Sequence, residues 1–235
     1  MKFRKYILFI PVFALALLSA YKEESYTKDE LIGDFNPAHT SGFKRIRNRH
    51  TTKADAYLRS EVYDAFQQMF EAAKADGIDL VIISATRNKN YQSGIWNRKW
   101  NSFGGDENTR AERILQYSSM PGTSRHHWGT DFDLNSLNNS YFESGTGLQI
   151  YNWLTSNAAK YGFYQPYTAY NNYRDAGYRE EKWHWSYFPT ASKLQRAYTF
   201  MVDYHDLSGF DGSEYAQTLD VINNYVNGVE AWPGK

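Results

Sequence analysis

The sequence predicts a single domain that mixes amphipathic helices with a few short strands. Three observations carry that expectation. Leu58, Val62, Ala65, Phe66, Met69, Phe70 and Ala73 recur at three- and four-residue steps, the spacing of one apolar helix face. Leu80-Val81-Ile82-Ile83 is a short, largely β-branched run, and residues 129–134 and 183–187 alternate in the way strands do. The length of 235 residues suits one sizeable core, and no internal repeat or second domain boundary is visible.

Taken in order, Lys2, Arg4 and Lys5 form a basic patch, residues 6–18 are uncharged and mostly apolar, and Ser19-Ala20 are small. Residues 1–20 therefore read as a signal peptide or amino-terminal anchor, too short for a comfortable membrane span. Tyr21 stands where a lipoprotein would carry its cysteine, so lipid anchoring is not expected. Residues 21–56 read as a spacer and lead-in, and 57–235 as the domain proper. The basic run Lys44, Arg45, Arg47, Arg49 and His50 reads as a solvated surface. Asp76-Gly77 ends the first helix, with Gly77 placed just after the cap. Ser84-Ala85-Thr86-Arg87 follows the first strand, which puts Arg87 at or just past its end, a common place for functional side chains. Helices are expected over 91–100, 110–117, 148–161, 191–202 and 215–226. Residues 164–179, rich in Tyr and Asn, read as a long loop and a groove wall.

Composition narrows the chemistry. With 26 basic and 26 acidic residues the formal charge is zero, which argues against nucleic acid or an anionic membrane as the main partner. There is no cysteine, hence no disulfide, no thiolate nucleophile and no Cys-type zinc site. A metal would have to be held by His, Asp or Glu. The 20 Tyr and 7 Trp suit a groove for an extended polar ligand, but for most of them core packing is the simpler reading.

The chemistry-bearing stretch is residues 124–133, which holds two histidines and two carboxylates, followed later by Glu181-Lys182-Trp183-His184. A loop feeding a strand can bring His126 and Asp133 to one point, and His184 can complete the set. Three protein ligands leave a fourth zinc position for water, whose pKa the metal lowers. Glu181 would take that water's proton and pass it to the leaving amine. His127 reads as a packing or supporting residue, because adjacent side chains in an extended segment diverge. Asp131 reads as a ligand, a partner that holds a histidine tautomer, or a plain strand residue, with the second favoured. On a strand, Asp131 and Asp133 point the same way.

Ser124-x-His126-x-x-Gly129-x-Asp131-x-Asp133 resembles the Ser-x-His-x-x-Gly-x-Ala-x-Asp motif of the LAS group of zinc peptidases, and Glu181-x-x-His184 resembles their Glu-x-x-His motif. Within the group the sequence is most similar to the VanY-type D-alanyl-D-alanine carboxypeptidases, through Ser84-x-x-Arg87 and Tyr91-Gln92 as well. The resemblance covers roughly residues 58–187. It implies an α+β fold, with a small antiparallel sheet carrying the zinc and helices packed on it. It implies His126, Asp133 and His184 as zinc ligands, Glu181 as base, Arg87 as the donor to the oxyanion, and Ser124 and Gln92 as substrate contacts. One departure is visible. Asp131 stands where the motif has a small Ala, and an Asp131 facing the metal would add negative charge beside the bound water.

The expected function is thus zinc-dependent removal of the terminal D-alanine from peptidoglycan stem peptides, D,D- or L,D-, outside the cytoplasm. The alternatives are a peptidoglycan endopeptidase and a non-catalytic zinc-containing cell-wall binding domain. The expected partner is the stem peptide. No nucleic acid is expected, a membrane enters only through the amino-terminal segment, and the chain is expected to be a monomer.

Overall fold

The computed structural model describes residues 26–232. The expected signal peptide or anchor, residues 1–20, lies outside the described residues. Helix α1 (Lys28–Ile32) opens on a reciprocal cap between Thr27 and Glu30 and ends at Gly33 in the left-handed region. Strands β1 (Phe43–Arg45) and β2 (Tyr57–Arg59) pair antiparallel. Helix α2 (Ser60–Ala75) follows, with Gly77 at φ +77° just beyond its cap, then β3 (Ile82–Ser84). Helix α3 (Lys89–Ser102) starts at Asn88, whose side chain accepts the Tyr91 N–H, and α4 (Glu107–Leu115) starts at Asp106, which accepts from Thr109. A 3₁₀ turn (Arg125–Trp128) leads to β4 (Asp131–Leu134). Helix α5 (Gly145–Asn157), β5 (Phe163–Tyr164), β6 (His184–Tyr187), α6 (Phe188–Met201) and the short α7 (Tyr215–Thr218) complete the chain.

The main sheet has the order β3-β4-β6-β5, antiparallel throughout. The fold is therefore α+β with small antiparallel sheets, as expected. Alternation along β4 and β6 decides what each face of that sheet does. Phe132, Leu134 and Trp185 enter a core with Leu58, Val62, Phe66 and Met69 of β2 and α2, and with Ile150 and Leu154 of α5. Phe66 and Phe132 meet edge to face, with ring centroids 5.3 Å apart. Each fully buried side chain of this kind contributes about 1.5–3 kcal/mol over an exposed one. A second core gathers Leu31, Trp96, Trp100, Trp128, Leu194 and Tyr198 from α1, α3, the 3₁₀ turn and α6. Asp131, Asp133, His184 and Ser186 occupy the sheet positions in between, so the polar face lies toward the second core.

Three expectations are corrected. Residues 26–56, read as spacer and lead-in, are built into the domain: Leu31 and Ile46 are buried, and the Trp128 indole N–H donates to the Leu31 carbonyl at 3.1 Å. His50, read as part of a solvated basic run, is fully buried against α2, where its ring packs on Phe66 and Phe70. The helix expected over 215–226 is instead α7 and a π turn (Ile222–Val226), broken where Asp220 takes a positive φ of 47°.

Candidate active site

The register of β4 against β6 places Asp133 directly opposite His184, and Asp131 opposite Ser186. His126 arrives from the 3₁₀ turn that precedes β4. That turn ends at Gly129 (φ +70°), where a Cβ would overlap the Phe43 ring, so the sharp return from turn to strand needs glycine. The result is one cluster of ligand atoms from His126, Asp133 and His184, all within 4.8 Å of one another. His126 Nε2 lies 3.3 Å and His184 Nδ1 3.1 Å from the same oxygen, Asp133 Oδ1. Donors held about 2.0–2.1 Å from a tetrahedral zinc stand about 3.3 Å apart, so this spacing suits zinc.

The remaining nitrogens of the two histidines are already committed. His126 Nδ1 sits 2.9 Å from the Ala85 carbonyl, and His184 Nε2 sits 2.9 Å from Asp131 Oδ2. With the ring protons on these two nitrogens, donated to the carbonyl and to the carboxylate, His126 Nε2 and His184 Nδ1 would offer their lone pairs to an ion in the cluster. The residues present fit a zinc ion in both geometry and donor type.

Asp131 is thus the residue behind His184, in keeping with the reading favoured from the sequence. Its charge is matched by Arg125, which no sequence motif had singled out. Arg125 Nε donates to Asp131 Oδ2 at 3.0 Å, and both side chains are fully buried. Thr130 Oγ1 and Ser186 Oγ donate to Asp131 Oδ1 at 2.6 and 2.8 Å. Burial raises the Asp131 pKa, but Arg125 and His184 outweigh it and hold the carboxyl well below the usual range. The one sequence signal for Arg125 was Asp131 itself, since a strand acid buried beside a metal calls for a countercharge.

Glu181 lies in the turn before β6, with Oε2 3.6 Å from His184 Nδ1. Burial pushes its pKa up to about 7, against the pull of His184. Arg87 follows β3, and its Nη1 donates to Ser84 Oγ at 3.0 Å and lies 3.7 Å from Asp133 Oδ2. The backbone of Arg87 is fastened to the motif turn, because its N–H donates to the His126 carbonyl and its own carbonyl accepts from His127 Nδ1 at 2.6 Å. His127 Nε2 in turn accepts the Gly122 N–H. His127 is therefore neutral, its pKa driven down to about 3 chiefly by burial. It supports Arg87 and does not join the ligand cluster. Ser124 and Gln92 are both buried and line the same cleft. Gln92 Nε2 donates to the Ser119 carbonyl, and its Oε1 has no partner.

Arg87, Gln92, Ser124, His126, Asp133, Glu181 and His184 share one cleft of about 430 Å³, walled in part by Tyr178 and by Tyr167, whose ring packs on His184 with centroids 4.7 Å apart; both tyrosines come from the long loop before β6. That is within the range of small-ligand sites.

The profile of the VanY D-alanyl-D-alanine carboxypeptidase family matches residues 55–190. YodJ of Bacillus subtilis (strain 168) is 32% identical over 133 residues, which is 56% of this chain and 46% of YodJ. The D-alanyl-D-alanine carboxypeptidase of Enterococcus faecalis (strain ATCC 700802 / V583) is 29% identical over 124 residues, 52% of this chain and 44% of that enzyme. The chain thus spans about half the length of these curated relatives. A solved structure of a variant of the vancomycin resistance D,D-pentapeptidase VanY from a VanB-type cassette, in complex with Zn(II), is similar with a TM-score of 0.51. It is 24% identical and the match covers 74% of this chain and 88% of that one, a likeness of fold. Because the family profile spans more than half of the chain and takes in every motif residue from Arg87 to His184, this chain belongs to the VanY D-alanyl-D-alanine carboxypeptidase family.

Proposed function

We propose that the chain is a zinc-dependent carboxypeptidase that hydrolyses the terminal D-alanine peptide bond of peptidoglycan stem peptides, D,D- or L,D-, outside the cytoplasm. The observation that carries the reading is the convergence of a three-donor cluster, a buried carboxyl and a guanidinium in one cleft. A site that held zinc only for structure would need neither of the last two.

His126 Nε2, Asp133 Oδ1 and His184 Nδ1 would hold the ion. When bound, zinc supplies Lewis-acid polarisation of the scissile carbonyl and lowers the pKa of a water molecule. The protein's own groups do the rest. Glu181, 3.6 Å from His184 Nδ1 and with its pKa raised by burial, would take a proton from the attacking water and deliver it to the leaving amine. Arg87 presents a fixed, permanently charged fork beside the ligand carboxylate, where negative charge develops on the carbonyl oxygen. Ser124 and the free Oε1 of Gln92 offer polar contacts to the peptide.

The test uses protein lacking residues 1–20, assayed for zinc content and for D-alanine released from stem pentapeptide and tetrapeptide. Bound zinc with release from the pentapeptide is expected of a D,D-enzyme, and release from the tetrapeptide alone of an L,D-enzyme. Glu181→Gln should keep its zinc and lose about 10²–10⁴-fold in kcat. Zinc with no release from either peptide, or a Glu181→Gln protein of near-normal rate, would overturn the assignment.

A further inference from the structure

The main sheet holds Asp133 and His184 but stops short of Glu181. Pairing of β4 with β6 reaches back to Trp183, whose carbonyl accepts the Leu134 N–H at 2.9 Å. Glu181 stands two residues earlier, in the turn before the strand, so ladder bonds do not fix it. Other groups do. The Glu181 N–H donates to the Tyr167 carbonyl at 2.9 Å. The Glu181 carbonyl accepts from the His184 N–H at 3.1 Å and from Gln165 Nε2 at 3.2 Å. The peptide groups on either side of Glu181 both go to one side chain. Asn139 Nδ2 donates to the Glu180 carbonyl at 2.7 Å, and Asn139 Oδ1 accepts the Lys182 N–H at 3.0 Å.

A carboxamide suits that place because it carries a donor and an acceptor on one planar group. Asn139 thus brackets Glu181 as a neighbouring strand would. The bracket stands on a firm base. Asn139 opens a short 3₁₀ turn (Asn139–Glu143), and Phe142 of that turn is fully buried in the first core, with its ring 6.2 Å from that of Tyr151 on α5. The Tyr151 hydroxyl donates to Gln165 Oε1 at 2.8 Å, so the second amide that holds Glu181 is tied to the same helix. Asn139 also lines the cleft, but both of its polar atoms are committed to the backbone around Glu181.

We propose that Asn139 is a positioning residue for the base: by clamping the peptide groups before and after Glu181, it sets where that carboxyl stands relative to the three-donor cluster. The inference rests on the reading of Glu181 as the base of a zinc carboxypeptidase. It adds a residue that lies outside every motif of the sequence and that acts through Glu181 and not on the substrate. The physical demand is geometric. Proton transfer needs the base within hydrogen-bond reach of the water, and a displacement of about 1 Å can cost about 100-fold in rate.

The test measures kcat, KM for the stem peptide and zinc affinity in Asn139→Ala, which removes both bonds, and in Asn139→Asp, which keeps the acceptor for Lys182 but sets an oxygen against the Glu180 carbonyl. Both should lose about 10- to 100-fold in kcat, with KM and zinc affinity within about twofold of wild type. The same Asn139→Ala change made in Glu181→Gln should cost less than about twofold more in single-turnover rate, because the group it positions is already gone. Glu143→Gln, which breaks the 3.1 Å ion pair between Lys182 and Glu143 on the same turn, should leave kcat within about twofold. A near-normal kcat in both Asn139 variants would overturn the proposal. So would a loss of the same size in the Glu181→Gln background, or a loss that follows weakened zinc binding, since either would make Asn139 a general support of the site. A zinc-loaded wild type that releases no D-alanine would instead remove the carboxypeptidase reading, and this inference with it.

Discussion

At Asp131 the motif's small residue is replaced by an acid, and the structure shows what that acid touches. It accepts from His184 Nε2 and from Arg125, so one carboxylate both orients a ligand histidine and neutralises a buried guanidinium. Asp131→Asn keeps an acceptor for the histidine but removes the charge. Its zinc dissociation constant should rise about 10- to 100-fold, measured by competition with a chromophoric chelator, and an unchanged constant would remove Asp131 from this role. Asp131→Ala should in addition cost about 3–5 kcal/mol in urea unfolding, because Arg125 is left buried and unpaired. Combining it with Arg125→Met should recover much of that loss.

At the scale of elements, the connection from β1 to β2 docks on α2 through His50. The Tyr63 hydroxyl accepts the Arg47 N–H at 2.9 Å, so its own proton goes to His50 Nδ1 at 2.8 Å. The imidazole is thereby held neutral, with its Nε2 unpartnered. Burial lowers its pKa below the ordinary 6.5, nearby Arg49 and Arg47 lower it further, and Glu71 opposes them. A folded pKa below the unfolded one means that the unfolded chain binds the proton first. The stabilising contribution is full above pH 6.5 and is lost as pH falls from there toward the folded pKa. His50→Phe removes this dependence. The stability gap between wild type and His50→Phe, from urea unfolding, should therefore shift in favour of the variant between pH 7.5 and 5.5; a gap that stays constant would mean that His50 does not titrate in this way.

For the whole molecule, the family profile begins at residue 55, yet the domain does not. Helix α1 lies on the 3₁₀ turn that carries His126, and Leu31 is fully buried in the second core. Glu30 pairs with Arg59, which itself donates to the Trp128 carbonyl at 2.7 Å. At Gly33 a Cβ would overlap the His127 ring, so α1 is packed tightly onto the segment that holds Arg87. A chain beginning at residue 57 should accordingly be much less stable than one beginning at 21, and should bind zinc more weakly. Equal melting temperatures and equal zinc affinity for the two would show that the lead-in is dispensable.

The sequence by itself determined the element types around the site. The apolar period of α2, the alternation of β4 and β6 and the position of Arg87 after β3 are local patterns, and local patterns are set by spacing along the chain. It also determined that Asp131 and Asp133 share a face, because strand alternation has a fixed period of two. Only the tertiary structure decided that Asp131 backs His184 Nε2 while Asp133 stands beside Nδ1 in the donor cluster, since that follows from the β4–β6 register across 51 positions of chain. The pairing of Asp131 with Arg125, the burial of His50 and the bracketing of Glu181 by Asn139 were decided in the same way. Each depends on which side chain finds a partner in three dimensions, and residue type alone does not say whether a charge is paired, buried or left facing a cleft.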